Sequence, residues 1–357
     1  MSTNALTLRH ALRRSVALNA PEYLWPVASV LASLLIVAPL VALAGAPALD
    51  GYRTLFEASF GTAAGFGVML QFSVPLILVG LGVAIPLRMG LFNIGGEGQL
   101  LVGALAAVFV GVKLDALAGV PGSFVLALLA AGVAGGVLGA IAGALKAWRG
   151  INEIITTIML TFVGTLFVQY WVTGPFKDDA LTFSASPAID PGFRLGVMGG
   201  DAAIPTSFFV ALAIALLVGC AVHFTRAGWR LHLGGVNPEL ARRQGVRVPL
   251  LQCAALAAGG ALAGIGGGAE AVGSQYRIGE EFSPGWGFDA VAIAILARGN
   301  MLAVVPYALF FGFLRNGAGV LQTDLDVPGA IVVMLSGAPV IIVAAVIGFR
   351  AYRRRRA

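Results

Sequence analysis

The sequence predicts an all-α, polytopic integral membrane protein with about ten transmembrane helices and both termini in the cytoplasm. Three observations predict it. The 357-residue chain is 58% hydrophobic and only 11% charged, whereas an ordinary soluble domain carries about 25% charged residues. Mean hydropathy is +0.90, and apolar runs of bilayer-crossing length recur along the chain. Lysines and arginines gather in alternate short segments between those runs. That pattern is membrane topology, not a nucleic-acid footprint, despite the net charge of +6 and pI near 9.7.

Residues 1–23, with Arg9, Arg13 and Arg14, read as a cytoplasmic N-terminal segment. The transmembrane domain spans 24–349. Its first apolar run, 24–44, exceeds the roughly 7–15 residues of a signal-peptide core, so it is read as a retained helix even though Ala42-Leu43-Ala44 mimics a cleavage site. Asp50, Arg53 and Glu57 mark an external connection. Further spans are expected at 66–87, 99–112, 123–145, 153–173, 206–224, 249–270, 286–297, 301–321 and 328–349. The run 286–297 is short for a crossing and follows Ser283-Pro-Gly-Trp286, the pattern of a half-helix held inside protein. If it is re-entrant, the total falls and the last helix inverts, which the charge distribution opposes.

With ten spans, internal segments collect Arg88, Lys146, Arg149, Arg226, Arg230, Arg242, Arg243, Arg247, Arg298 and the basic tail 350–357. External ones hold only Arg53, Lys113, Lys177, Arg194 and Arg277. The external loop 174–206 either receives a partner or caps the bundle passively. Glycines at 132, 135, 136, 139 and 143, and at 260, 264 and 268, repeat a four-residue step. They read as small-residue helix contacts ahead of a hinge.

Enzymatic chemistry is missing from the pattern. Cys220 and Cys253 lie in apolar runs and read as small buried hydrophobes, and His10, His223 and His232 lack metal-ligand spacing. The lysines, Lys113, Lys146 and Lys177, follow no phosphate-binding glycine loop. The chain therefore hydrolyses no ATP itself. Glu97, Glu153, Glu270 and Asp289 sit near span ends, and Arg315 beside Asn316 is the clearest intramembrane charge. One cation without a deep carboxylate is a weak signature of ion-gradient coupling, which leaves a gradient-driven secondary transporter as the alternative of a different class.

The stretch Met89-Gly-Leu-Phe-Asn-Ile-Gly-Gly-Glu-Gly-Gln-Leu-Leu-Val-Gly-Ala104 brings polar groups and glycines together between two apolar segments. Spacing alone gives a glycine-rich loop with Glu97 solvated at the cytoplasmic surface. If the stretch is helical, Asn93 and Glu97 share a face and the amide helps satisfy the carboxylate.

Within it, Gly90-Leu-Phe-Asn-Ile-Gly-Gly-Glu-Gly-Gln99 resembles the signature of ABC importer permease subunits in the branched-chain amino acid, ribose and nucleoside permease superfamily. Gly150-Ile-Asn-Glu-Ile-Ile-Thr-Thr-Ile-Met-Leu160 is similar to the form in the general nucleoside and simple-sugar branch. Gly235-Val-Asn-Pro-Glu-Leu-Ala-Arg-Arg-Gln-Gly245, in the internal segment 225–249, resembles the loop with which these permeases contact their ATPase. On composition this last stretch is a short amphipathic helix capped by Asn237 and ended by Gly245, and its arginines also suit membrane-surface anchors.

The resemblance implies a bacterial inner-membrane permease subunit that imports nucleosides by alternating access, with simple sugars and then branched-chain amino acids as alternatives. It implies a translocation path or signature loop drawing on Asn93, Glu97, Gln99, Glu153, Thr156, Arg315 and Asn316. Coupling to the ATPase falls to Asn237, Pro238, Glu239, Ala241, Arg242 and Gly245. The implied partners are two ABC ATPase subunits carrying ATP and magnesium, a second permease subunit, homologous or identical, and a periplasmic or lipid-anchored substrate-binding protein. The chain itself carries no cofactor, sits in the lipid bilayer and binds no nucleic acid. Phe92, Trp286, Phe288, Asn93 and Gln275 are candidate surfaces for a nucleoside's base and ribose.

Overall fold

In the computed structural model of the chain the described residues are Pro39 and 47–324. Apart from Pro39, the expected spans 24–44 and 328–349 and both terminal segments lie outside them. The chain divides into two compact units, one of which, Thr54–Val320, holds the helical core; the other takes residues up to Arg53 and from Leu321 onward.

After α1 (Ala48–Phe56) and one π-helical turn, Glu57–Gly61, the long helix α2 (Ala63–Leu87) begins where Thr62 Oγ1 accepts from Gly65 N at 3.0 Å. This 25-residue helix is apolar on all sides, and its buried residues run almost without interruption from Gly67 to Pro86. A helix hydrophobic all round belongs at the centre of a bundle. Around it stand α3 (Gly96–Lys113), α4 (Phe124–Arg149), α5 (Glu153–Thr173), α6 (Thr206–Phe224), α9 (Val248–Glu270), α10 (Trp286–Leu296) and α11 (Met301–Asp324). Between α6 and α9 lie two short helices, α7 (Arg226–Val236) and α8 (Pro238–Arg243).

Seven described helices are long and apolar enough to cross a membrane: α2, α3, α4, α5, α6, α9 with its π extension to Gln275, and α11. The eighth expected span is α10. Its 11 residues extend about 16 Å, half of the roughly 30 Å hydrocarbon core, and residues 276–285 before it are not helical. Most of α10 is buried, as a half-helix inside protein must be.

Helix α9 packs most extensively on α4, then on α2 and α3. Glycine decides the α4–α9 contact. A methyl group at Gly135 would overlap the Gly260 carbonyl oxygen, and one at Gly139 would overlap that of Leu256. The two backbones touch directly, which supplies dispersion contact where lipid offers no hydrophobic drive. The apolar faces left outside are broad: Leu129, Val133 and Val137 on α4, Ile155, Phe162 and Leu166 on α5, and Leu217 on α6 are all exposed. Cys220 is on the exposed face of α6 as well, so its expected burial is corrected; Cys253 is half-buried. A helix period of 3.6 placed Cys220 outward, which its apolar neighbours in sequence could not reveal.

The loop between α5 and α6 is ordered. It carries a two-residue hairpin, β1 (Val197–Met198) with β2 (Ile204–Pro205). It is also stitched to the segment after α9 by Ser186 N to Ile278 O (2.9 Å), Ile189 N to Tyr276 O (2.7 Å) and Leu195 N to Val272 O (2.7 Å).

Candidate functional site

The interior polar groups gather around two interruptions of helix, the turn before α3 and the segment before α10. The first begins at Gly90, whose φ of +72° only glycine adopts without strain. Asn93 then turns inward with no exposure. Its Nδ2 donates to Gln99 Oε1 at 2.9 Å, and its Oδ1 accepts from Gln99 Nε2 and from Gly95 N, both at 3.1 Å. The amide pair is thus self-satisfied. Asn93 is outside the helix and does not serve Glu97, because α3 starts only at Gly96.

Gly98 lets α3 cross α5: a Cβ there would stand 2.6 Å from Thr161 Cα. One turn earlier, Ile94 N donates to Thr157 Oγ1 at 3.3 Å. The two sequence signatures are therefore in contact, and the threonine that joins them is Thr157, which the sequence reading passed over for its neighbour. Thr156 is turned to its own helix, Oγ1 donating to Asn152 O at 2.7 Å. Glu153 pairs with Lys146 at 2.7 Å across the α4–α5 turn.

Glu97 is 6% exposed, which overturns the solvated-loop reading. Its Oε2 accepts from Gly287 N at 2.6 Å, at the N-terminus of α10, where free amides and the helix dipole favour a carboxylate. Close approach again needs glycine, since a side chain at Gly287 would overlap the backbone of Glu97. Ser283 Oγ accepts from Gly285 N and Trp286 N at 3.2 and 3.3 Å.

Arg315 on α11 closes the cluster. Its Nε and one terminal nitrogen donate to Asp289 Oδ2 at 3.0 and 2.7 Å, and that same nitrogen donates to Pro284 O at 2.9 Å. Both side chains are largely buried. The intramembrane cation therefore has a deep carboxylate, and the expectation that it lacked one is corrected: 26 residues of sequence separate partners that the α10–α11 turn brings together. Asn316 is committed elsewhere, its Nδ2 donating to Ala58 O, Ser59 Oγ and Gly65 O at 2.9–3.2 Å.

A pocket of about 640 Å³ opens beside the α5–α6 loop, lined among others by Phe183, Gln275, Arg277, Glu280, Glu281 and Phe282. Of the five residues expected to meet a nucleoside, Gln275 lines it; Trp286 and Asn93 are buried, and Phe92 and Phe288 are exposed. No group of three or more metal-ligating side chains occurs among the described residues.

At the arginine-rich end, Asn237 Oδ1 accepts from Leu240 N at 2.9 Å and so caps α8. Gly245 follows at φ +78°. Glu239 lies 3.7 Å from Arg242 and 3.6 Å from Arg243, all well exposed, while Ala241 is buried. Helix α7, which the sequence reading did not resolve, rests Gly234 and Gly235 against the Arg88–Met89 turn that leads into Gly90.

A bundle of apolar helices with a broken segment in its interior, its freed backbone groups bound by buried charges, defines a membrane permease. Residues 66–344 match the family of branched-chain amino acid transport system permease components, and the chain belongs to that family. It is 35% identical to a glucose ABC transporter permease of Haloferax volcanii, the match covering 92% of this chain and 88% of that one. It is 30% identical to the guanosine ABC transporter permease of Bacillus subtilis, over 86% and 88%. A nucleoside ABC transporter permease of Lactococcus lactis is 28% identical over 82% and 83%. The chain is thus a multi-pass inner-membrane transport subunit, not an enzyme, in an ABC transporter complex where an ATPase partner supplies the energy and a second permease takes part.

Proposed function

We propose that the chain forms the path of an importer for small hydroxyl-rich solutes, nucleosides first. The observation that carries this reading is the pocket beside the α5–α6 loop, where an amide, a guanidinium, two carboxylates and two phenyl rings face one space. Such a mixture suits a ligand with hydroxyls and an apolar face. A simple sugar is the second reading, favoured by the 35% identity to a glucose permease. In this reading both termini lie in the cytoplasm, and the α5–α6 loop faces a periplasmic or lipid-anchored binding protein that delivers the solute.

Two ATPases, holding ATP and magnesium, dock on the segment Asn237–Gly245. Glu239, Leu240 and Arg242 are exposed for that contact, and buried Ala241 ties α8 to the bundle. Closure of the ATPases would press α7 on Met89, next to the turn that holds Asn93 and Gln99. The second permease, identical or a shorter sister, completes the path.

Uptake of labelled adenosine, guanosine and glucose is to be measured in cells with and without this chain, other carriers for these solutes having been removed. Nucleoside uptake that vanishes on deletion, and for which only nucleosides compete, is the expected result. Loss of glucose uptake alone would give the sugar reading first place, and unchanged uptake of all three would refute both.

A further inference from the structure

We propose that Gln71, Glu270, Ser274 and Gln275 form a station in the permease itself that recognises a vicinal diol, with Gln275 as its closed door. This rests on the importer reading above and names the part of the solute that the membrane subunit reads.

The argument starts from a buried carboxylate that nothing in the fold explains. Glu270 ends α9 at 3% exposure, yet among the described residues it pairs with no cation. Its Oε1 accepts a long bond from Gln275 Nε2, at 3.3 Å, and its Oε2 has no hydrogen-bond partner among the described residues. The Ser274 hydroxyl faces the same carboxylate without bonding Oε2, and it is itself held by the Gln71 amide from α2. Trp286 Nε1, beside Phe282, is another buried polar atom lacking a partner. Polar atoms left unmade inside protein are costly, and native structures keep them chiefly where a ligand or function uses them.

Helix geometry makes the arrangement deliberate. Residues 271–275 form a π-helical turn, which carries Ser274 and Gln275 back over Glu270. Such turns recur at functional sites. The station lies immediately behind the pocket. Gln275 and Phe282 both line the pocket, and Gln275 Nε2 divides itself between Glu270 Oε1 (3.3 Å) and Phe282 O (3.0 Å), so the Gln275 side chain links the carboxylate to the pocket wall.

Rotation of Gln275 away from Phe282 would expose both carboxylate oxygens. A carboxylate accepts two adjacent hydroxyls at once, and the Gln71 and Gln275 amides donate to the diol's own lone pairs. Ribose and glucose both carry this group. A hydrophobic amino acid has no adjacent hydroxyls, and its own carboxylate would be repelled by that of Glu270.

The test compares ribonucleosides with their 2′-deoxy and 2′,3′-dideoxy counterparts in uptake by the complete transporter. Wild type is compared with Glu270→Gln and Gln275→Ala. Because the binding protein is the same throughout, any change in the ratio of hydroxylated to deoxygenated solute belongs to the permease. We expect wild type to favour the diol by at least about tenfold, the worth of one hydrogen bond to a charged group, and Glu270→Gln to bring the ratio near one while assembling normally on size exclusion. Gln275→Ala should admit both solutes faster. An unchanged ratio in Glu270→Gln overturns the station and leaves the importer reading standing. Failure of wild type to move either solute class overturns both.

Discussion

The Asp289–Arg315 pair offers the sharpest test of how the interior is held. Arg315→Met removes hydrogen bonds of 3.0 and 2.7 Å to Asp289 and one of 2.9 Å to Pro284 O. Asp289, with 12% of its side chain exposed, would lose its neutralising partner. Breaking a buried pair from one side costs about 3–5 kcal/mol, chiefly through the stranded charge. Asp289→Ala strands the guanidinium by the same logic, although Pro284 O still satisfies one donor, so its cost belongs at the lower end. The double variant Asp289→Ala/Arg315→Met strands no charge and loses only the Pro284 bond, about 1 kcal/mol, plus packing. Its loss should fall short of the sum of the singles by at least about 2 kcal/mol. Denaturing-detergent titration followed by helical circular dichroism measures all three. Additive losses, or an Arg315→Met protein as stable as the parent, would refute the buried-pair account.

Glu97→Gln retains an acceptor for Gly287 N and should cost the fold only about 1 kcal/mol, while solute uptake falls well below the loss of folded protein; uptake equal to wild type would return Glu97 to a purely structural part. Glu239→Ala/Arg242→Ala removes an exposed 3.7 Å pair, worth under about 1 kcal/mol. It should leave membrane insertion intact yet separate ATP hydrolysis from uptake, and normal uptake at normal expression would remove the proposed coupling site. Gly264→Ala drives a methyl group into the Ala131 carbonyl oxygen and should destabilise by about 1–3 kcal/mol. Gly119→Ala, which meets open space, is its neutral control; equal stability of the two variants would contradict the close-packed helix contact.

Much of the bundle was legible because hydropathy and length are local properties. The runs at 66–87, 153–173, 206–224 and 301–321 coincide closely with α2, α5, α6 and α11. The four-residue glycine step of α4 and α9 also meant what it suggested, since the period that puts glycines on one face also lets two backbones touch. The polar partners were not legible. Asn93 bonds Gln99 and not Glu97 because the chain leaves helical geometry before Gly95, so helical spacing no longer says who faces whom. Asp289 and Thr157 escaped for a related reason: each is defined by a neighbour on another helix, and the sequence orders helices without orienting them. One signal was available. Asp289 stands in the first turn after Pro284-Gly285, where a short apolar helix starting inside protein needs its N-terminus and any nearby cation satisfied.

Read together, the interior charges and the broken backbone explain each other. A continuous helix through 276–285 would have satisfied its own carbonyls and amides and left Glu97 without Gly287 N and Arg315 without Pro284 O. A break without those side chains would have stranded Pro284 O, Phe282 O and the first amides of α10. Instead Glu97 takes Gly287 N, Arg315 takes Pro284 O and Asp289, Gln275 takes Phe282 O, and Ser283 takes Gly285 N and Trp286 N. Residues that read in sequence as ligands are in this conformation largely occupied in holding a non-helical segment against the bundle. It follows that a solute passing this segment must compete with bonds already made, except at Glu270 Oε2 and Trp286 Nε1, where none is made among the described residues. The reading of the solute is therefore expected at those atoms, and the charges around Gly287 and Pro284 are expected to set whether the segment can move.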